Sequence, residues 1–478
     1  MKTYEKLTST LSGCQSASFD RNRALYIMKQ QWLVVLLLLL LSSLTACSPG
    51  HLGSTVIAFI RNGHLWTIDP NGANAFGIVA QDTPVVGYSW SPTHQILTFR
   101  TLDADFAKTS TAKHLTGQPI TGLTEDTPSI ENTIGVDGGT PVSIAFSNPT
   151  INYSNAIWNT NGTRLLYRQT IQGAQSNPIT AQWFISHNDQ PGGIALKSFP
   201  ASYSIPSFSY VSQHTLILGN SDRGIFTTTL TGTNVHYLTH NLPPGHPLPA
   251  SLERILWQPA HQDHSFLYAT SISAPSAQQS NATDRPTVEL ILSTVDGHTT
   301  TLATCTCTQF AWSPNGNSVL YSTDTTYTIL NLQKATSWNV PTEEDSVPYW
   351  SPDSQFLVID GPHTLQLLSI AKQHRYTLLS DNKANKPLLG SFSGNQSSPN
   401  ALLQPVPNNI WAADSRQFLF LTHNRLQWQN HPLHPGKGLY IVAIDNDGHL
   451  QGPPTQVDTG NDSQAGWTYQ DANTSFLY

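Results

Sequence analysis

One short pattern recurs along this chain and limits what it can fold into: an aromatic residue, a polar turn, then a short apolar run. Trp90 opens WSPTHQILTF, Trp158 opens WNTNGTRLLY, Phe208 opens FSYVSQHTLIL and Trp257 opens WQPAHQDHSFLY. Trp312 opens WSPNGNSVLY, Trp350 opens WSPDSQFLVI, Trp411 opens WAADSRQFLF, and Trp467 opens WTYQDANTSFLY at the end of the sequence. The distance from aromatic to apolar run is nearly fixed, with slightly longer spacing in the Phe208, Trp257 and Trp467 copies. Such self-similarity marks a repeat architecture, in which each unit buries its apolar face against its neighbours.

Each copy reads as a β-hairpin. The aromatic ends one strand, Ser-Pro, Asn-Gly or Asp-Ser makes the turn, and the apolar run is the next strand. Further strand-like runs are Leu65–Ile68, Val288–Leu292, Leu365–Ile370 and Leu439–Ile444. Asp296-Gly297 and Asp447-Gly448 are turn signals after such runs. Four short strands per roughly 40 to 60 residues is the signature of an all-β propeller with four-stranded blades. No long segment of helical periodicity follows residue 50. A buried Trp removes roughly 200 Å² from water, about 5 kcal/mol. The repeated Trp residues therefore read as packing between blades and not as a ligand-stacking array.

Closure sets the blade count. The motifs from Trp90 to Trp411 give seven full repeats. The N-terminal piece holds Val56–Ile60, Leu65–Ile68 and Phe76–Val79 but lacks an opening Trp strand, which the Trp467 motif supplies. Pairing the two ends completes an eighth blade and removes exposed sheet edges. One strand is then surplus, because Phe476–Tyr478 and Val56–Ile60 compete for one slot. That conflict keeps seven blades open as the alternative.

Trp312-Ser313-Pro314-Asn315-Gly316 and Trp350-Ser351-Pro352-Asp353-Ser354 resemble the Trp-Ser-Pro-Asp-Gly hallmark of TolB-type, WD40-like β-propeller repeats. The resemblance spans nearly all of residues 54–478. It implies a fold and little about function, since propellers host many activities.

Residues 32–44, WLVVLLLLLLSSL, form an apolar run too short for a comfortable membrane span. Lys29 precedes it and small residues follow, the order of a secretory signal. Leu44-Thr45-Ala46-Cys47 resembles the lipobox of bacterial lipoproteins. That resemblance implies cleavage before Cys47 and acylation of its thiol; an ordinary signal peptide with a coincidental cysteine is the alternative. Met1 and Met28 are the only methionines, and Met28 opens a normal signal peptide. The organisation expected is a mis-assigned extension over 1–27, a lipoprotein signal over 28–46, a tether over 47–53 and one propeller domain over 54–478. The protein is then held on the outer face of the cytoplasmic membrane, or in a periplasm where a second membrane exists.

Charged residues make up only 11 % of the chain, with a net charge of -7, so the basic stripe of a nucleic-acid binder is missing. Of four cysteines, Cys14 lies in the extension and Cys47 is the lipid site. Cys305 and Cys307 lack nearby ligands at zinc spacing, and a bridge between residues two apart is strained. They read as small strand residues, with a redox or interchain role as the alternative.

No catalytic, cofactor or metal motif emerges. Gly390-Ser391-Phe392-Ser393-Gly394 puts Phe392 where a hydrolase elbow needs its nucleophile. His261 with His264, and His431 with His434, lack the His-Glu-x-x-His form. Asp445-x-Asp447-Gly448 begins like a calcium loop, but its twelfth position is Gln456, and a hairpin turn explains it better. Four long insertions, 101–155, 271–286, 381–409 and 422–437, fall in second-to-third strand loops or blade-to-blade connections, which share one face. Long loops on a rigid scaffold are where binding resides. The expected function is a non-catalytic binding or scaffolding role toward an envelope protein or glycan. The alternative is a propeller enzyme of glycosidase, lyase or quinone-dehydrogenase type with its site at the channel mouth.

Overall fold

The computed structural model describes residues 56–79, 84–91, 95–109, 127–147, 151–171, 180–196, 204–229, 235–237, 256–258, 265–271, 287–379, 403, 409–422, 427–428, 431–432, 438–467 and 474–476, except 155, 160–161, 212–213, 222–223, 295, 308, 324, 344 and 461. Cys47, the leader, Gly390–Gly394, His261, His264 and His434 lie outside them.

The fold is an all-β propeller, with one short 3-10 turn at Phe106–Lys108 among the described residues. Eight antiparallel sheets recur there, numbered here around the molecule. Sheet 1 is Asp462–Trp467, Ile57–Arg61, His64–Ile68 and Phe76–Gly77. Sheet 2 is Val85–Trp90, Ile96–Leu102, Ser129–Gly135 and Gly138–Phe146. Sheet 3 pairs Ile151–Tyr153 and Ile157–Trp158 with Arg164–Ile171, then Thr180–His187 and Ile194–Ala195. Sheet 4 runs from Ser204–Val211 through His214–Ser221 and Gly224–Thr229 to His236–Tyr237, and sheet 5 from Leu256–Trp257 through Ser265–Ser271 and Val288–Thr294 to Thr299–Cys305. Sheet 6 holds Gln309–Trp312, Ser318–Thr323, Thr326–Asn331 and Thr336–Pro341. Sheet 7 holds Val347–Trp350, Phe356–Asp360, Leu365–Ser369 and His374–Leu379. Sheet 8 holds Gln417–Thr422, Gly438–Ala443 and Thr455–Asp458, with Trp411 bridged to Phe418 at its inner edge.

Each sheet packs on the next. Tyr88 Oη donates to the carbonyls of Ala58 (2.6 Å) and Gln464 (2.5 Å), joining sheets 1 and 2. Arg100 of sheet 2 donates to the Tyr153 carbonyl of sheet 3 at 2.9 Å. Ser204–Val211 lies against Ile157–Trp158 on one side and Leu256–Trp257 on the other. Trp312 Nε1 donates back to the Leu256 carbonyl (3.2 Å), and Trp411 Nε1 to the Tyr349 carbonyl (2.8 Å). Ala311, Leu320, Trp350 and Leu357 share one apolar cluster between sheets 6 and 7. Trp467 N donates to the Asn409 carbonyl at 2.9 Å, bringing the last sheet onto the first.

The two chain ends meet in sheet 1, where Ile57 pairs with Trp467 and Arg61 with Asp462. The competition for one slot is resolved in space. Ile57–Arg61 takes the place beside the Trp467 strand, while Thr474–Phe476 pairs with Gln309–Trp312 in sheet 6.

The turn after each aromatic explains the repeat. Backbone N of Gly162, Gly316, Ser354 and Ser415 donates to the carbonyl three residues earlier. These four residues have φ between 61° and 68°, or 60° for Ser354, a left-handed conformation that glycine adopts without strain. Where serine replaces glycine, its hydroxyl gains a partner in the neighbouring sheet: Ser354 Oγ accepts from Asn315 N (2.9 Å) and Ser415 Oγ from Asp353 N (3.0 Å). Departure from the hallmark thus exchanges backbone ease for a staple between sheets.

Two sequence expectations need correction. Cys305 and Cys307 form a disulfide with Cα atoms 5.1 Å apart. Cys305 ends an outer strand and Cys307 lies past it, so the chain leaves the sheet there and can bring the two thiols together. Second, 101–155 is not one insertion. Ser129–Gly135, Gly138–Phe146 and Ile151–Tyr153 are strands, because Ile130, Ile134 and Ile144 lie in runs that pair with sheet 2 or continue into sheet 3. The longest connection there is 103–128, against 136–137 and 147–150.

Candidate functional site: the long-connection end of the sheets

In an up-and-down sheet, the first-to-second and third-to-fourth connections share one end. The second-to-third and sheet-to-sheet connections share the other. At the first end, the longest connection between strands is 444–454. The other end carries 103–128, 238–255, 272–287, 380–409 and 423–437. Within 423–437, Gln427–Trp428 and His431–Pro432 form a small hairpin. The two ends are called here the turn end and the loop end.

The aromatic motif serves the turn end. Trp90, Trp312, Trp350, Trp411 and Trp467 are fully buried, and Trp158 is half-buried. The strands of Phe208 and Trp257 are placed in sheets 4 and 5, but their side chains lie outside the description. Beside the Trp residues, Ser351 Oγ donates to Asp353 Oδ1 (2.7 Å) and accepts from Phe356 N (2.9 Å). Ser313 and Asn315 repeat this arrangement one sheet earlier.

Four charged residues are buried among those described: Arg100, Glu131, Asp360 and Asp462. All four stand near the loop end, where a second strand ends, a third begins, or a first begins. Glu131 lies beside Arg100 in register, with Arg100 Nε 3.8 Å from Glu131 Oε2. Burial pushes the Glu131 carboxyl up to about 7, against the pull of Arg100. Tyr153 stacks under the guanidinium at 4.3 Å, accepts from Arg100 Nε at its hydroxyl (3.2 Å) and donates to Ser129 Oγ (3.3 Å). Burial raises the phenol. The cluster packs between sheets 2 and 3.

Asp462 opens the Trp467 strand and pairs with Arg61 at 2.8 Å; Arg61 also pairs with Asp458. Burial pushes Asp462 up to about 6, opposed by Arg61 and assisted by Asp458. Asp360 is 1 % exposed, and neither of its carboxylate oxygens has a hydrogen-bond partner among the described residues. Burial, then the Glu343 charge, raises its carboxyl well above the ordinary range. Sequence reading passed over all four. Their one signal was a charge inside an apolar strand, as in ILTFRTL and FLVID.

At the turn end, Asp445, Asp447 and His449 place ligand-capable atoms within 4.8 Å of one another. They are already engaged. Asp445 Oδ1 accepts from the backbone N of Asp447 and of His449, each at 2.8 Å, and Lys372 Nζ binds Asp447 Oδ1 at 2.8 Å. Gly448, with φ 86°, completes a hairpin turn.

No protein-family model matches this chain, and no curated protein sequence does. Among solved structures, it is similar to an oligogalacturonate lyase in complex with manganese, at 9 % identity over 66 % of this chain and 83 % of that one, TM-score 0.43. It is also similar to the oligogalacturonate lyase of Vibrio parahaemolyticus, at 7 % identity over 64 % and 88 %, TM-score 0.41. A eukaryotic initiation factor overlaps at 10 % identity over 88 % and 100 %, TM-score 0.45. At these values the likenesses carry nothing about activity.

Proposed function

We propose that the protein is a membrane-anchored extracytoplasmic lipoprotein, a TolB-type, WD40-like propeller in which the eight sheets are eight blades. It binds an envelope protein or glycan through the loop end and performs no catalysis. The observation that carries this reading is the segregation of long connections to that end, with short turns at the other. Drift alone would lengthen loops at both ends. Cys47 holds the membrane anchor; lipid chains contribute roughly 0.8 kcal/mol per buried CH₂, and two or more anchor stably.

The test has two arms. Cys47→Ser is expected to release the chain from membranes or block its processing; normal processing with membrane retention contradicts the anchor. Shortening 103–128 to a tight turn is expected to leave melting nearly unchanged, since loop length carries little closure entropy. It is also expected to abolish partner capture from solubilised membranes. Capture that survives contradicts the binding reading.

A second reading, the propeller enzyme, is favoured by the burial of Arg100, Glu131, Asp360 and Asp462 at that same end, since raised carboxylates cluster at active sites. Turnover of an oligosaccharide by the purified chain, lost in Glu131→Gln or Asp462→Asn variants that still fold, would select it.

A further inference from the structure

The bridge between Cys305 and Cys307 plays no part in the partner-binding reading. Nor does it tie distant parts of the fold together. It joins residues two positions apart, and the stabilisation a crosslink gives grows with the length of chain it closes. A ring this small restricts the unfolded chain little, so its setting and its chemistry are what distinguish it.

Cys305 ends the fourth strand of sheet 5 and is half-buried, whereas Cys307 is 6 % exposed. Cys307 belongs to an apolar cluster with Leu256, Val288, Phe310 and Trp312. One cysteine is therefore open to a second thiol and the other is not. Their Cα atoms stand 5.1 Å apart, within the ordinary span of a disulfide, so the bond can open and re-form without moving a strand. The pair also stands at the loop end. Cys305 is in register with Val288, which opens the third strand, and Val288 with Ser271, which closes the second. The long connection 272–287 runs between those last two residues. Exposed disulfides are the exchangeable ones, and access decides which sulfur a thiolate attacks.

We propose that Cys305 and Cys307 form a thiol–disulfide exchange site that oxidises a dithiol of a partner protein to a disulfide. A partner thiolate attacks Cys305 Sγ and forms a mixed disulfide. The Cys305–Cys307 bond breaks, and Cys307 leaves with the electron pair and takes up a proton. The partner's second thiolate then attacks the partner sulfur of the mixed disulfide and releases Cys305, which also takes up a proton. Two electrons and two protons pass from the dithiol to the cysteine pair. The assignment rests on sheet 5 alone and stands whether or not the long connections bind anything.

The experiment incubates the native full chain with reduced glutathione and maps the modified cysteines by peptide mass, which separates Cys305 and Cys307 from Cys14 and Cys47. Glutathione on Cys305, with a free thiol on Cys307, is expected. A synthetic peptide carrying two thiols, held with the chain under anaerobic conditions, is expected to gain one disulfide per chain, and Cys305→Ser to lose that gain. The variant with both Cys305→Ser and Cys307→Ser is expected to melt within a few degrees of the parent, because the loop it opens is so short. A bridge that glutathione opens only after denaturation, or opens on Cys307 first, overturns the proposal. So does a large fall in melting temperature in the double variant, which would make the bond a structural one.

Discussion

The turn end and the loop end of the sheets solve burial in opposite ways. At the turn end, Trp rings fill the space between sheets, and the serine and aspartate groups beside them find donors and acceptors within five residues or in the adjoining turn. At the loop end, charge is buried: Glu131 beside Arg100, Asp462 beside Arg61, and Asp360 without a hydrogen-bond partner among the described residues. The first end is built from the repeat and varies little. The second ranges from two-residue turns at 62–63 and 324–325 to the long connection 103–128. A scaffold that repeats at one end and diverges at the other has its structural work and its individual properties on opposite faces.

The largest effect is expected from breaking the closure that both ends depend on. Removing 462–478 deletes the strand that pairs with Ile57–Arg61 and takes Asp462 from Arg61. The truncated chain is expected to aggregate during purification. Removing only 468–478 keeps Trp467 and is expected to melt within a few degrees of the parent; equal failure of both would place closure in Thr474–Phe476.

Next comes the packing at the turn end. Trp411→Ala removes a fully buried indole and its bond to the Tyr349 carbonyl. Loss of about 3 to 5 kcal/mol in denaturant unfolding is expected. A loss below about 1 kcal/mol would show that the aromatic is not part of the core.

A smaller effect, of opposite character, belongs to the loop end. Glu131 and Asp462 hold their protons more tightly folded than unfolded. Their contribution is therefore full below the unfolded carboxylate range and is lost as pH rises through about 6 and about 7. Stability is expected to fall between about pH 4 and about pH 7, with Glu131 responsible for about 3 kcal/mol. Glu131→Gln should flatten that slope; Trp411→Ala should lower the whole curve without changing its shape. A Glu131→Gln curve parallel to the parent contradicts this assignment.

The same contrast explains what could be read from the sequence. Turn chemistry is local, so Trp312-Ser313-Pro314-Asn315-Gly316 announces its hairpin within five letters, and the eight copies announce a propeller. The partner of a surplus strand is not local: nothing near Phe476 says that it pairs with Gln309. Nor was the Cys305–Cys307 bridge visible, since it depends on the chain leaving its strand between them. Arg100 and Glu131 are 31 positions apart across a long insertion, and only the register of two strands makes them neighbours. Trp428, buried by the small hairpin within 423–437, was likewise missed because no repeat motif surrounds it.

Four large apolar side chains are exposed among the described residues, and they divide evenly: Phe146 and Ile171 end strands at the loop end, while Ile194 and Val235 stand at turn-end connections. A photoreactive amino acid placed singly at each of the four, in the full chain expressed in cells, compares the two faces directly. The account predicts adducts of one discrete partner from positions 146 and 171 and none from 194 and 235. Adducts of equal yield from both pairs, or from 194 and 235 alone, would contradict it.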